Sequence, residues 1–209
     1  ERFAHAQPHP KFGPFSEENP LTILTVSRLQ EYKGFDTVIE ALTKLPQDLR
    51  RMVKYRIVGR GPYFPELQNL MLINNLQDCI ELMGPTSEED LLQMYLQADL
   101  FVMCSRLSLK TQDVEGFGLV FLEAQACGTP VIGTRSGGIP SAIRQGEGAW
   151  LIQEKGSDEL RSIIEKILQH PELLQEQSSL AYQVVRSRNQ FSQYTSSLKN
   201  IIDGASNDR

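Results

Sequence analysis

Arg28 and Lys33 lie in the segment Ser27-Arg28-Leu29-Gln30-Glu31-Tyr32-Lys33-Gly34, directly after the β-branched apolar run Leu21–Ser27 and ahead of a helical pattern that starts at Phe35. A helix N-terminus already carries positive partial charge, so cations there have the wrong sign for helix stability. They make sense if a phosphate occupies the gap between them. Two solvated side chains on a loop is the plain alternative. A second segment, Glu115-Gly116-Phe117-Gly118-Leu119-Val120-Phe121-Leu122-Glu123, puts a carboxylate and two glycines ahead of a helix that is apolar nearly all round. A helix of that composition is expected to be buried. Its unbonded first-turn amides would form an anion site, and the glycines would clear room for the ligand. Glu123 is then out of place, because Val120, Phe121, Leu122, Ala124, Ala126 and Cys127 surround it and a buried carboxylate without donors is costly. Ligand hydroxyls would satisfy it. So would a solvent-facing sliver of the helix, or an internal Arg or Lys.

Two further segments are glycine-rich. Gly59-Arg60-Gly61-Pro62 begins like a dinucleotide fingerprint, but the third glycine position is Phe64, so the fingerprint fails. A tight turn and a close approach of ligand to backbone remain equal readings there. In Arg135-Ser136-Gly137-Gly138-Ile139-Pro140 the glycines and the helix-opening proline allow the same two readings. His5, His9 and His170 all lie outside these segments, and surface histidine is the default for each. No Ser–His–acid order and no metal-ligand spacing is present, so no metal or other cofactor is expected. Trp150, beside a short apolar run, reads as core or interface.

The elements that must position these segments alternate. Apolar runs at Leu21–Ser27, Tyr55–Val58, Cys79–Met83, Leu100–Cys104, Pro130–Thr134 and Trp150–Ile152 read as strands. Helical spacing appears between them, at Phe35–Leu45, Tyr63–Asn75 (Leu67, Leu70, Met71 and Ile73 inward), after Ser87, near Phe117–Cys127 and at Pro140–Arg144. Ser87 with Asp90 marks a helix start. Ser157–Leu168 is amphipathic, and the stretch from Pro171 to about Asp203 reads as two more helices. This pace predicts an α/β fold, a doubly wound Rossmann-like parallel sheet flanked by helices, with C-terminal helices. Such sheets bind ligands beyond the carboxyl ends of their strands, which is where all four segments fall. Residues 1–20, rich in Pro, His and Phe, read as an extended arm or linker. Residues 21–187 form the domain, and 188–209 a C-terminal helix and tail.

Composition narrows the function further. In 209 residues, 40% are hydrophobic and 22% charged, a globular balance that excludes wholesale disorder. The net charge of −5 gives no general attraction to nucleic acid, so any phosphate site must be local. No apolar run is long enough to span a bilayer, and no signal-peptide pattern opens the chain. Cys79, Cys104 and Cys127 read as buried free thiols in a reducing compartment, and a cytoplasmic location is expected.

Taken in order, Ser27-Arg28-Leu29 with Lys33-Gly34, Gly59-Arg60-Gly61-Pro62, Glu115-Gly116-Phe117-Gly118 with Leu122-Glu123-Ala124, and Ala126-Cys127-Gly128-Thr129-Pro130-Val131-Ile132 resemble the donor half of a GT-B glycosyltransferase. The resemblance is to the large retaining "glycosyl transferases group 1" family (glycosyltransferase family 4). It covers roughly residues 21–152. It implies a nucleotide-diphosphate-sugar donor, UDP-, GDP- or ADP-linked, and transfer with retention of anomeric configuration without an obligatory metal. By resemblance, Arg28 and Lys33 grip the diphosphate and Glu115 holds donor-sugar hydroxyls. Gly116, Phe117, Gly118, Leu119 and Val120 offer main-chain amides, and Glu123 binds ribose hydroxyls. Gly59 and Gly61 belong to the donor site, and Glu115, Arg28 and Lys33 carry the catalytic role.

The chain departs from the family in two places. Cys104-Ser105 stands where Pro-Ser is frequent, and the loop from Arg106 to Val114 is longer than in many relatives. The fold implied is one half of GT-B. The acceptor-binding N-terminal domain is the expected partner, and residues 1–20 resemble the interdomain linker. A membrane-associated lipid or a polysaccharide acceptor would be reached through that domain, and the isolated half is expected to be inactive. Alternatives are a non-catalytic nucleotide-sugar-binding module and a GT-B sugar-nucleotide epimerase. The failed fingerprint at Phe64 argues against a dehydrogenase, and no pyridoxal-phosphate lysine motif supports a phosphorylase.

Overall fold

The structure is a computed structural model and describes residues 13–188. Six strands, β1 (Leu21–Val26), β2 (Val53–Val58), β3 (Ile80–Gly84), β4 (Leu100–Met103), β5 (Val131–Thr134) and β6 (Ala149–Ile152), form one sheet in the order β3-β2-β1-β4-β5-β6. Every pairing is parallel. The order runs outward from β1 in one direction and from β4 in the other, so it reverses between these two central strands. That is where a doubly wound sheet opens a crevice.

Both faces are covered, so the strands read as continuous apolar runs rather than alternating ones. Leu21 and Ile23 of β1 with Leu100 and Val102 of β4 enter one core, while Leu24, Phe101 and Met103 enter the other. The first core is closed by α1 (Phe35–Thr43), α3 (Phe64–Ile73) and α7 (Ser157–Gln169). A short α2 (Gln47–Arg50), which no sequence pattern announces, lies between α1 and β2. The second core is closed by α4 (Glu88–Gln97), α5 (Leu119–Ala126) and α6 (Ile139–Ala142). α8 (Glu172–Arg188) begins with Leu174 in the first core and runs back to pack on α5.

The capping signal before α4 is confirmed, since the Ser87 hydroxyl accepts from the Asp90 amide at 3.1 Å. Trp150 packs half-buried against the first core. One expectation needs correction. Ile73 is 64% exposed. Leu70 and Met71 sit three and four residues from Leu67 and share its face, whereas Ile73 lies six residues away and off it. The stretch after Pro171 gives a single helix, α8, among the described residues, and the second expected helix lies outside them.

All three cysteines are free and buried. Burial pushes the Cys104 thiol up to about 12 and the Cys79 thiol up to about 11. Because the thiolate is the reactive form, a thiol-specific disulfide reagent at pH 8 is expected to find no reactive group in the native chain and three after denaturation. Modification of a native thiol would contradict the packing at β4 and β3. No helix among the described residues is long and apolar enough to cross a membrane.

Candidate functional site

The carboxyl ends of β1 and β4 border a cleft of about 400 Å³. Val26, Ser27 and Arg28 line it from β1, Tyr32 and Lys33 from the turn that follows, and Met103 from β4. Glu115, Phe117, Gly118, Leu119 and Val120 close the opposite wall. The Ser27–Gly34 and Glu115–Glu123 segments, more than eighty residues apart, therefore face each other. A larger hollow of about 680 Å³ opens at the other pole, between Glu17, Arg50, Lys54 and Asp78. It lies at the amino ends of β1 and β2, away from the strand-end segments, and its Lys54 ammonium already donates to the Asp78 carbonyl at 2.7 Å. The smaller cleft is the better site.

Its two charged groups meet directly. The Lys33 ammonium donates to Glu115 Oε2 at 2.6 Å, with side chains only 11% and 14% exposed. Lys33 also lies 4.9 Å from the centre of the Tyr32 ring. Arg28 is exposed and has no side-chain partner among the described residues.

Glycines hold the walls in place. Gly34 has φ +74°, and a Cβ there would fall 1.8 Å from the Cys104 carbonyl oxygen, so only glycine lets the Lys33 turn rest on the end of β4. A Cβ on Gly59 would meet the Ser27 carbonyl oxygen at 1.9 Å, and one on Gly61 the Leu29 carbonyl oxygen at 2.2 Å. Amide bonds from Leu29 to the Arg60 carbonyl and from Tyr63 to the Leu29 carbonyl complete that seam. Neither Gly59 nor Gly61 lines the cleft; the structure gives both a packing reason, which is to seat the Arg28 segment.

The Gly137-Gly138 pair does the same for Glu115. The Gly138 amide donates to the Glu115 carbonyl at 2.9 Å, and a Cβ on Gly138 would fall 1.8 Å from the Gly116 carbonyl oxygen. Gly116 itself has nothing within 4 Å of its missing Cβ, so the chain is open to solvent there.

α5 departs from the fully buried helix expected of it. Phe121, Ala124 and Gln125 are buried, but Leu119 is 66% exposed. The helix starts at Gly118 in the left-handed conformation and projects its first turn at the mouth of the cleft; the Phe121 amide donates back to the Gly118 carbonyl at 3.0 Å, and the Leu119 and Val120 amides precede that first bond. Glu123 is half-buried rather than stranded, and the buried Tyr95 hydroxyl donates to its Oε2 at 3.0 Å. That partner sits on α4, where its phenol reads in sequence as one more apolar position.

Sequence reasoning also passed over Arg106, which is 9% exposed and ion-paired to Asp36 at 2.6 Å. Burial pulls its guanidinium down, but the Asp36 hydrogen bond and charge, with Glu31 behind them, outweigh this and hold it above its ordinary value. A cation two residues beyond a predicted strand was the signal available. Among the described residues, no group of three His, Cys, Asp or Glu side chains is placed to hold a metal.

The model of the family described as glycosyl transferases group 1 matches residues 8–184. The chain is 33% identical over 150 residues to an amylovoran biosynthesis glycosyltransferase of Erwinia amylovora, covering 72% of this chain and 36% of that protein. It is 34% identical over 149 residues to a GDP-mannose-dependent alpha-(1-6)-phosphatidylinositol monomannoside mannosyltransferase of Mycobacterium tuberculosis, covering 70% and 38%. The chain thus spans well under half the length of these relatives. Among solved structures, that of Anabaena HepE in complex with UDP and glucose superposes with a TM-score of 0.76 at 23% identity, over 90% of this chain and 49% of that one. With six parallel strands wound as in that structure and a family match along most of its length, the chain belongs to the glycosyl transferases group 1 family.

Proposed function

We propose that this chain is the donor-binding half of a retaining glycosyltransferase, and that its cleft takes a nucleotide-diphosphate-sugar. The observation that carries the reading is the Lys33–Glu115 pair at the β1/β4 switch point, beside the first turn of α5. It places one cation suited to a diphosphate and one carboxylate suited to sugar hydroxyls side by side in a single cleft. Arg28, exposed at the rim, adds a second cation for the phosphates. The amides of the Gly116–Val120 stretch meet the anion from the other wall. Glu123, which accepts from Tyr95 and lies one turn along α5 from the residues lining the cleft, is assigned to the ribose hydroxyls. Side-chain and helix-terminal charge thus neutralises the leaving diphosphate. The solved HepE complexes hold UDP or UDP-glucose, and the mycobacterial relative is named for GDP-mannose, so both bases belong in a test.

The partner in this reading is an acceptor-binding domain facing the cleft. Phe117 and Leu119, 41% and 66% exposed at its mouth, suit such a covering. Retaining transfer needs an acceptor hydroxyl held against the anomeric carbon, and that holding supplies roughly 7–11 kcal/mol of the barrier. The 209-residue chain is therefore expected to bind donor yet transfer no sugar, with slow donor hydrolysis at most. Radiolabelled donors incubated with the chain and a cell extract, beside a full-length family member, test this. Comparable transfer by the chain would place the acceptor site within these residues and overturn the division of labour.

Glu123→Gln is expected to weaken nucleoside diphosphate and full donor alike, by roughly 1–3 kcal/mol, because both contain the ribose. Titration calorimetry in which only the full donor suffers would remove Glu123 from the ribose site.

A further inference from the structure

The geometry points to Arg106 as the positioning residue for Lys33, acting through Glu31, Tyr32 and Asp36 to aim the ammonium that the proposed diphosphate would use. Lys33 closes a short helical turn, Glu31–Lys33, that has no buried side chain of its own. An element of that size has no core to hold it, so its orientation must come from neighbours. Arg106 touches it twice. Its backbone amide donates to the Tyr32 carbonyl at 2.8 Å, one residue before Lys33, and its Nη2 lies 3.8 Å from Glu31 on the same turn. Its Nη1 donates to Asp36 Oδ1 at 2.6 Å, in the first turn of α1 on the far side of Gly34. One guanidinium therefore brackets Lys33 from before and after.

The residues that follow Arg106 hold the loop that leads to the opposite wall. Leu107, next in the chain, donates its amide to Glu154 at 3.2 Å, and the loop beyond closes on itself through the Ser108 amide and the Asp113 carbonyl at 2.9 Å. That loop delivers Glu115. Arg106 is thus the point at which the turn carrying Lys33 and the loop carrying Glu115 are tied together. The Lys33 and Glu115 side chains are 11% and 14% exposed, so the pair stays together only while the two walls that carry them hold their positions. Arg106 is 9% exposed, and a charge taken that far out of water stays only where its partners are fixed. A lysine at 106 would reach one carboxylate but lacks the planar fork that spans two.

This inference takes its functional meaning from the donor-binding reading, so the experiment separates the two. Uniformly ¹⁵N-lysine-labelled chain is prepared as wild type, Arg106→Lys, Asp36→Asn and Lys33→Ala, and the last identifies the Lys33 ammonium resonance by its absence. The expected result is a protected Lys33 ammonium signal in the wild type, held by Glu115, that is lost in Arg106→Lys and Asp36→Asn at a temperature where circular dichroism shows both variants folded. Calorimetry with UDP and GDP should show affinity falling about tenfold in either variant, the scale of one charge-assisted hydrogen bond. It should fall no further when either change is added to Lys33→Ala. An unchanged ammonium signal in both variants overturns the positioning role, and so does an equal affinity loss in the Lys33→Ala background. A wild type that binds neither diphosphate overturns the donor reading instead, and the ammonium signal alone then decides the role of Arg106.

Discussion

Gly34→Ala is expected to destabilise the chain by roughly 3–5 kcal/mol, enough to abolish cooperative unfolding in a marginal domain. Two penalties add at this position. The backbone holds φ at +74°, which a Cβ disfavours, and the new methyl would lie 1.8 Å from the Cys104 carbonyl oxygen and 3.0 Å from its Cβ. The carbonyl belongs to buried Cys104, directly after β4, whose last residue Met103 pairs with Gly133 of β5, so the turn must move. Movement there carries Lys33 away from Glu115. Gly116→Ala is the control, because nothing lies within 4 Å of its Cβ position, and its stability is expected to stay within about 0.5 kcal/mol of wild type. Urea titrations followed by circular dichroism compare the two. Equal midpoints would mean that the Gly34–Cys104 contact is not close-packed.

Lys33→Ala and Glu115→Gln are expected to act in opposite ways on a nucleoside diphosphate. Lys33→Ala removes a charge-assisted partner of the phosphates and should weaken binding by roughly 1.5–3 kcal/mol. It leaves Glu115 facing the phosphates without its 2.6 Å partner, so repulsion places the loss toward the upper end. Arg28→Ala shares the direction but has the smaller effect, since Arg28 is exposed and its charge is screened. In Glu115→Gln the ammonium no longer has to leave a carboxylate to meet the phosphates, so binding of the bare diphosphate is expected to hold or tighten. The full donor should still suffer, by roughly 1–3 kcal/mol relative to the diphosphate, because the sugar loses its acceptor. Calorimetry with UDP against UDP-glucose, and GDP against GDP-mannose, reads both differences. Loss of bare diphosphate in Glu115→Gln on the scale seen for Lys33→Ala would reverse the assigned roles.

What the sequence revealed and what it withheld divide along physical lines. The strands were legible because both sheet faces are covered, so β1 and β4 are apolar at successive positions, and Ser87 with Asp90 announced α4 through a purely local contact. The cleft was legible because Arg28, Lys33 and Glu115 sit on strand-end loops that a doubly wound sheet must bring together. The pairings were not. Lys33 and Glu115 are 82 positions apart, and Arg106 and Asp36 are 70 apart, and nothing in either local pattern names the partner. Glu123 looked stranded on an apolar helix because the Tyr95 hydroxyl that satisfies it belongs to another element. The glycine pairs at Gly59–Gly61 and Gly137–Gly138 were read as turn or ligand contact. Each turned out to accommodate a neighbouring loop backbone, a demand visible only once the loops are side by side.

Lys33 in the β1/β4 cleft is proposed to bind the diphosphate of a nucleotide-sugar. A thermal-shift series with UDP, GDP and ADP, each with and without its sugar, on wild type and Lys33→Ala, tests it directly. A ligand that binds only the native state at a hundred times its Kd stabilises by about 2.7 kcal/mol. The melting temperature of the wild type is expected to rise clearly with at least one diphosphate, and the rise is expected to be lost in Lys33→Ala at the same concentration. No rise with any of the three, or an equal rise in Lys33→Ala, would contradict this assignment.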